Sequence, residues 1–266
     1  MATSKAATTK KPSAKTVSTK IAKTVTKPVA ASAVTPSFAE SIRQFSFWRS
    51  LAAEFIGTFL LAAVIIVGQG QPLYALFAVV GIVLVLGTIS GAYINPALTI
   101  ASWVTRRISW IRAVGYTVAQ IVGALVALVV LQAFVAGGAD SAATFGTAPE
   151  VFKAAALVEG KEWFVLFSEL LGATIIGFAF ANALRSNQDR LTSAFTYGLG
   201  VFTALMISFI AASYVSGAAI LNPAVAFSLQ AVSWSLWPIL VFIIAPVVGG
   251  VVGFFLNDFL KGRSAK

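Results

Sequence analysis

The chain has no cysteine and no histidine, and it carries only nine Asp and Glu in 266 residues. Without cysteine there is no disulfide framework, no thiolate metal site and no cysteine nucleophile. Without histidine there is no His-based triad, no imidazole proton relay and no His-ligated metal or haem. No nucleophile–base pair or metal cluster stands out, so neither an enzyme nor a cofactor is expected. Charge of either sign is scarce: charged residues make up 11% of the chain, where a soluble domain carries roughly a quarter, and hydrophobic residues make up 58%. That balance belongs to a polytopic membrane protein. A net charge of +10 would suggest nucleic acid in a soluble protein. Here the excess lies in the N-terminal segment and the short loops, which reads as membrane orientation, with no nucleic-acid partner.

Residues 1 to about 45 are built from Ala, Thr, Ser, Lys and Pro, and hold seven of the 19 Lys and Arg as lysines with Glu40 as the only acid. Such a segment cannot bury enough apolar surface to offset its chain entropy, so 1–45 is expected to be a disordered basic tail. It lacks the apolar stretch that a secretory signal places directly behind its first lysines. A solvated tail near anionic head groups is the favoured reading. An organelle transit peptide and a nucleic-acid-binding arm are the weaker alternatives.

A helix crossing the hydrocarbon core needs about 20 largely apolar residues. Six segments qualify, roughly 47–67, 73–90, 112–134, 163–184, 193–212 and 234–258. Two shorter apolar pieces, about 95–103 and 222–231, each begin with Asn-Pro-Ala. Under six spans the tail, Arg106, Arg107 and Arg112, Arg185 and Arg190, and Lys261, Arg263 and Lys266 share one side. The other side holds a connection over 136–162 with Asp140, Glu150, Glu159 and Glu162 against Lys153 and Lys161, and two loops without charge. Cytoplasmic loops are rich in Lys and Arg, so both termini are expected in the cytoplasm, with the cell or plasma membrane as the favoured location. Trp103, Trp110, Trp163, Trp234 and Trp237 fall near span ends and read as an interfacial belt.

The chain repeats itself. Ala53-Glu54-Phe55-Ile56-Gly57-Thr58 in span one is matched by Ser168-Glu169-Leu170-Leu171-Gly172-Ala173-Thr174 in span four. Ser90-Gly91-Ala92-Tyr93-Ile94-Asn95-Pro96-Ala97 is matched by Ser216-Gly217-Ala218-Ala219-Ile220-Leu221-Asn222-Pro223-Ala224. Three spans per half make the repeat inverted, with halves 46–135 and 163–260, the outer connection 136–162 between them and a cytoplasmic end at 261–266. Inverted repeats with broken helices place a solute pathway between the halves near the midplane. Glu54 and Glu169 are the only acids deep within the spans. An intramembrane carboxylate suggests proton or cation coupling. Its symmetric recurrence without a His or Lys partner favours instead a carboxylate that accepts backbone N–H bonds and holds the adjacent re-entrant loop.

The paired Ser-Gly-Ala-x-x-Asn-Pro-Ala and Ser-Gly-Ala-x-x-x-Asn-Pro-Ala segments resemble those of the aquaporin, or major intrinsic protein, family. The likeness extends over about 47–260 and includes the repeated Glu-x-x-Gly, Tyr116 to Ala124 in span three and Pro246-Val247-Val248-Gly249-Gly250 in span six. One such triplet means little; two in equivalent places of an inverted repeat are specific. The resemblance implies an all-α membrane protein of six transmembrane helices plus two re-entrant half-helices, forming a homotetramer in the lipid bilayer with one pore per subunit. It implies passive permeation of water and small neutral solutes, and pore motifs at Asn95, Pro96, Ala97, Asn222, Pro223 and Ala224. Physically, each half-helix of seven to ten residues would point its N-terminus at the midplane, capped by an Asn whose amide can also donate into a lumen. Two positive helix ends facing one constriction repel cations and hydronium. The Gly positions 115, 123, 172, 177, 249, 250 and 253 read as helix-packing surfaces.

The resemblance weakens at the outer selectivity constriction. Family members commonly carry Arg directly after the second triplet and His in the first motif, where this chain has Val225 and Tyr93. The Asp that often follows in glycerol facilitators is replaced by Ala226. Family spacing places the rest of the constriction at Ala75, at Phe209 or Ile210, and at Ala219, all apolar. Tyr93, Glu54 and Glu169 are expected to support the pore loops. The constriction is therefore expected to be wider and more hydrophobic than in a strict water channel. A glycerol, urea or ammonia facilitator and a non-conducting structural protein of the same fold are the alternatives; a coupled secondary transporter is disfavoured.

Overall fold

The structure is a computed structural model and describes residues 38–137, 150–185 and 189–261. Most of the expected tail, Asp140 with the first part of the outer connection, and Arg263 and Lys266 lie outside the described residues. All regular structure among the described residues is helical: α1 (Phe38–Arg43), α2 (Phe45–Val67), α3 (Pro72–Ser90), α4 (Pro96–Val104), α5 (Trp110–Gly137), α6 (Glu162–Ala183), α7 (Arg190–Ser213), α8 (Pro223–Ser228) and α9 (Leu236–Lys261). Of these, α2, α3, α5, α6, α7 and α9 are long and apolar enough to cross a membrane, and α4 and α8 are the two short pieces. The expected fold class holds.

Two expectations change. The tail does not stay irregular to residue 45, because Phe38–Arg43 forms a helical turn and a half. Glu40 in its first turn and Arg43 in its last complement the helix dipole, and Trp48 Nε1 donates to Ile42 O at 2.8 Å, tying α1 to α2. The second half-helix is shorter than expected, six residues against nine in α4. Both short helices end in the same device. Gln230 after α8 has φ 57° and Arg106 after α4 has φ 60°, each in the left-handed region that usually belongs to glycine. Ala231 N then bonds Ala226 O and Gln230 N bonds Phe227 O; Arg107 N bonds Ser102 O and Arg106 N bonds Trp103 O. These paired bonds satisfy carbonyls that would otherwise be left bare at a helix end.

Helix starts follow from sequence in the same way. Pro72, Pro96 and Pro223 take the first helical position, where their missing N–H costs nothing. Asp189 caps α7 through a bond from Thr192 N, and the Thr192 hydroxyl and N–H hold its carboxyl below the usual carboxylate range. In α9, Pro246 has no N–H to give, and its ring would collide with the carbonyl four residues earlier. The preceding turn, Leu240–Ile244, widens to π geometry, with Ala245 N–H reaching Leu240 O, so the span continues through the proline.

The repeat is visible in the packing. Within the first half α2 lies along α5 and against α3; within the second, α6 lies along α9 and against α7, and the halves meet where α3 packs on α7. Equivalent glycines set equivalent approaches. A Cβ on Gly123 of α5 would stand 2.4 Å from Phe55 O of α2, and one on Gly249 of α9 would stand 2.4 Å from Leu170 O of α6. Gly177 and Gly253 are as tight on the α6–α9 seam. Dispersion contacts and close backbone approach, with no hydrophobic drive from lipid, hold such seams. The outward faces stay apolar: Phe77, Val129, Phe164 and Phe255 are all exposed.

Candidate functional site

The segments between α3 and α4 and between α7 and α8 are irregular backbone at the depth of the spans, which is stable only if every polar group finds a partner or borders water. Ile94 and Leu221, each just before the Asn of its triplet, adopt φ 45° and 61°. A bulky side chain in that region is strained and persists only where its surroundings over-determine it. The surroundings are two carboxylates. Glu54 of α2 accepts from Tyr93 N at 3.0 Å and from Ile94 N at 2.8 Å. Glu169 of α6 accepts from Ile220 N and, at 2.9 Å, from Leu221 N. Both carboxylates have no accessible surface. Each therefore holds two backbone donors of one re-entrant leg that no regular structure would satisfy.

The two triplets then close on each other. Asn95 Oδ1 accepts from Ala97 N at 2.9 Å, and Asn222 Oδ1 accepts from Ala224 N at 3.1 Å and from Val225 N, so each Asn caps its own short helix. Their amide nitrogens cross over. Asn95 Nδ2 donates to Leu221 O at 3.0 Å, and Asn222 Nδ2 donates to Ile94 O at 2.9 Å. The twisted residues are thus the pivots: their N–H groups face a carboxylate and their carbonyls face the opposite Asn. Each Nδ2 spends one of its two hydrogens in this way and keeps the other. Pro96, Ala97, Pro223 and Ala224 are buried around the meeting point.

The halves differ in one polar group that sequence reasoning did not single out. Gln120 of α5 donates to Glu54 Oε2 at 2.7 Å and to Thr99 Oγ1 at 3.0 Å, giving the first carboxylate a third donor. The repeat puts Pro246, which has no donor, at the equivalent place in α9. The second carboxylate is held by backbone alone.

The residues expected at the outer constriction differ in burial. Ala75 and Val225 belong to one buried apolar cluster that also includes Leu221, Ala226 and Leu229. Ala219 is half-buried, while Phe209 and Ile210 are half-exposed and stand outside that cluster, Ile210 on the far side of α7 from the buried Ser208 and Ala212. Val225 has no accessible surface. Val151, Phe152, Ala154 and Leu157 of the connection pack against the core, and Ala154 N donates to Leu229 O, just past α8, at 3.0 Å. The Tyr93 backbone N–H is held by Glu54, and its ring is buried between Tyr116 and Phe180.

Comparison with known proteins agrees with this architecture. The profile of the family described as major intrinsic protein matches residues 41–257. The chain is 31% identical over 221 residues to glycerol uptake facilitator protein-like 6 of Lactiplantibacillus plantarum, covering 78% of this chain and 95% of that protein. It is 29% identical over 240 residues to aquaporin NIP3-1 of Oryza sativa subsp. japonica, covering 82% and 70%. Its fold is similar to the X-ray structure of the aquaglyceroporin from Plasmodium falciparum, with TM-score 0.65 and 19% identity over 81% of this chain and 97% of that one. The chain belongs to the major intrinsic protein family. It is a multi-pass membrane channel for water and small neutral solutes, and not an enzyme.

Proposed function

We propose that solutes cross between the tips of α4 and α8, past the free hydrogens of Asn95 Nδ2 and Asn222 Nδ2. The reciprocal Asn bonds carry this reading, because they fix both amides at one point and leave each with one donor for a passing oxygen. Water and small alcohols can accept such bonds. Cations and hydronium meet the N-terminal ends of two helices, which carry partial positive charge. Proton exclusion rests there, since Val225 supplies no fixed cation. A proton leak comparable to water flux in proteoliposomes would overturn this part of the reading.

The outer positions bear on how water and larger solutes compete. With Val225, Ala75 and Ala219 at the outer positions, the path offers few hydrogen-bonding groups to replace water's hydration shell, so glycerol or another small neutral solute competes well with water. The relative named as a glycerol uptake facilitator fits this, and the buried state of Val225 points to a snug apolar passage. Both termini face the cytoplasm of a cell membrane, and four copies assemble with one pore each. Stopped-flow swelling and shrinkage of proteoliposomes, with sucrose and then glycerol as osmolyte, separates the cases. Water and glycerol both faster than in empty vesicles is the expected result. Conduction of neither solute favours the non-conducting structural reading. Val225→Arg should reduce glycerol flux more than water flux; equal losses would mean that Val225 does not border the path.

A further inference from the structure

On the side where α2 begins, the re-entrant leg before α4 is covered by two rings from the other half of the chain. The Phe180 ring of α6 lies 5.0 Å from the Tyr93 ring and 4.7 Å from the Tyr197 ring of α7, centroid to centroid. Tyr197 Oη donates to Tyr93 O at 3.1 Å. The three side chains are at most 5% exposed. The carbonyl of an irregular leg at this depth would otherwise be an acceptor for whatever passes, and here a hydroxyl occupies it. Phe180 is backed by Phe254 of α9, 6.1 Å away, which the Arg107 guanidinium covers at 4.9 Å while paired with Asp258. Ring packing and an ion pair together hold the arrangement.

The internal repeat shows that none of these rings has an aromatic counterpart. The shift that carries Ser90-Gly91 onto Ser216-Gly217 carries Tyr93 onto Ala219, the outer-filter position. It carries Ala75 onto Val201, one helical turn from Tyr197. The shift that carries Glu54 onto Glu169 makes Phe180 the counterpart of Ile65. Tyr197 corresponds to Gln71, so alanine stands opposite a ring at Ala219 and Tyr93 alone.

We propose that Tyr93, Phe180 and Tyr197 form a second, inner constriction that sets the size limit for solutes in this channel. This rests on the channel reading above. A collar of apolar ring faces with its one carbonyl already bonded disfavours a continuous water thread and admits solutes by ring displacement. Selection in this chain therefore sits on the side of the half-helix tips opposite the filter that its family resemblance suggests.

The test uses the full chain reconstituted in proteoliposomes, with water and glycerol permeabilities measured for the wild type, Phe180→Ala, Phe180→Leu and Tyr197→Phe. Phe180→Ala should raise glycerol permeability about tenfold, the factor given by a barrier lower by about 1.4 kcal/mol, and raise water less. Tyr197→Phe keeps the ring, frees Tyr93 O and should raise both permeabilities by a smaller factor. Phe180→Leu should change glycerol in the same direction as Phe180→Ala, and it serves where the alanine variant fails to fold. A conducting wild type with unchanged permeabilities in correctly folded variants overturns the collar and leaves the channel reading intact. A silent wild type with a conducting Phe180→Ala supports the collar as a closed point. Silence in every protein overturns the channel reading and the collar with it.

Discussion

Ile94 and Leu221 show how much one residue can be asked to carry. Each gives up a comfortable backbone conformation so that its N–H meets a buried carboxylate and its carbonyl meets the opposite asparagine. Each carboxyl turns one oxygen to each of two neighbouring N–H groups. Removing Glu169 leaves two buried N–H groups unsatisfied, at about 1–3 kcal/mol each. Glu169→Ala should therefore lower the Tm of the detergent-solubilised protein markedly and abolish conduction; a variant with unchanged Tm would show that the leg has other support. The Glu54 leg can be compared through Gln120, whose amide gives that carboxylate a third donor. Gln120→Leu should destabilise by about 1–3 kcal/mol, since it strips one bond from a buried carboxyl group. Denaturation in detergent measures it.

Among the elements, the short helices depend on their ends. Gln230 follows α8 in a left-handed conformation that costs a residue with a Cβ about 1 kcal/mol. Gln230→Gly should stabilise by a comparable amount, read as a raised Tm, unless the Gln side chain makes a contact worth more. The long helices depend on their seams. Gly253 of α9 admits no side chain, because a Cβ there would lie 2.2 Å from Thr174 O of α6. Gly253→Val should force the helices apart at about 1–3 kcal/mol or more. Loss of the folded species on size-exclusion chromatography checks it, and a well-folded Val variant would mean the seam can slide.

For the whole molecule, the two halves are copies in sequence and in packing but not in chemistry. The leg before α8 carries Ala219, while the leg before α4 carries Tyr93, whose ring packs on Phe180 of the other half. Assembly is expected to follow the family. Native mass spectrometry of the detergent-solubilised protein should read four copies, and a stable monomer would sink that expectation. Accessibility of a cysteine introduced beyond Lys261 to an impermeant thiol reagent from inside, but not outside, intact cells checks the expected orientation.

Much of this was readable before any coordinates. Composition fixes the solvent, run length fixes the number of spans, and a duplicated Asn-Pro-Ala within a duplicated three-span unit marks the two short helices and where they start. Those are local or periodic properties, and hydrocarbon leaves the backbone no other solution. Where α8 stops was not readable, because Gln230 carries no signal for a conformation usually given to glycine. The roles of Val225, Phe209 and Ile210 were not readable either, since counting along a helix cannot say which neighbour covers a side chain. Contacts between residues more than a hundred positions apart, Asn95 to Leu221, Asn222 to Ile94 and Tyr197 to Tyr93, exist only once the halves have folded together. The order of residues determined which groups must be satisfied; only the tertiary structure decided which partner satisfies each, because a hydrogen bond depends on position in space and not on distance along the chain.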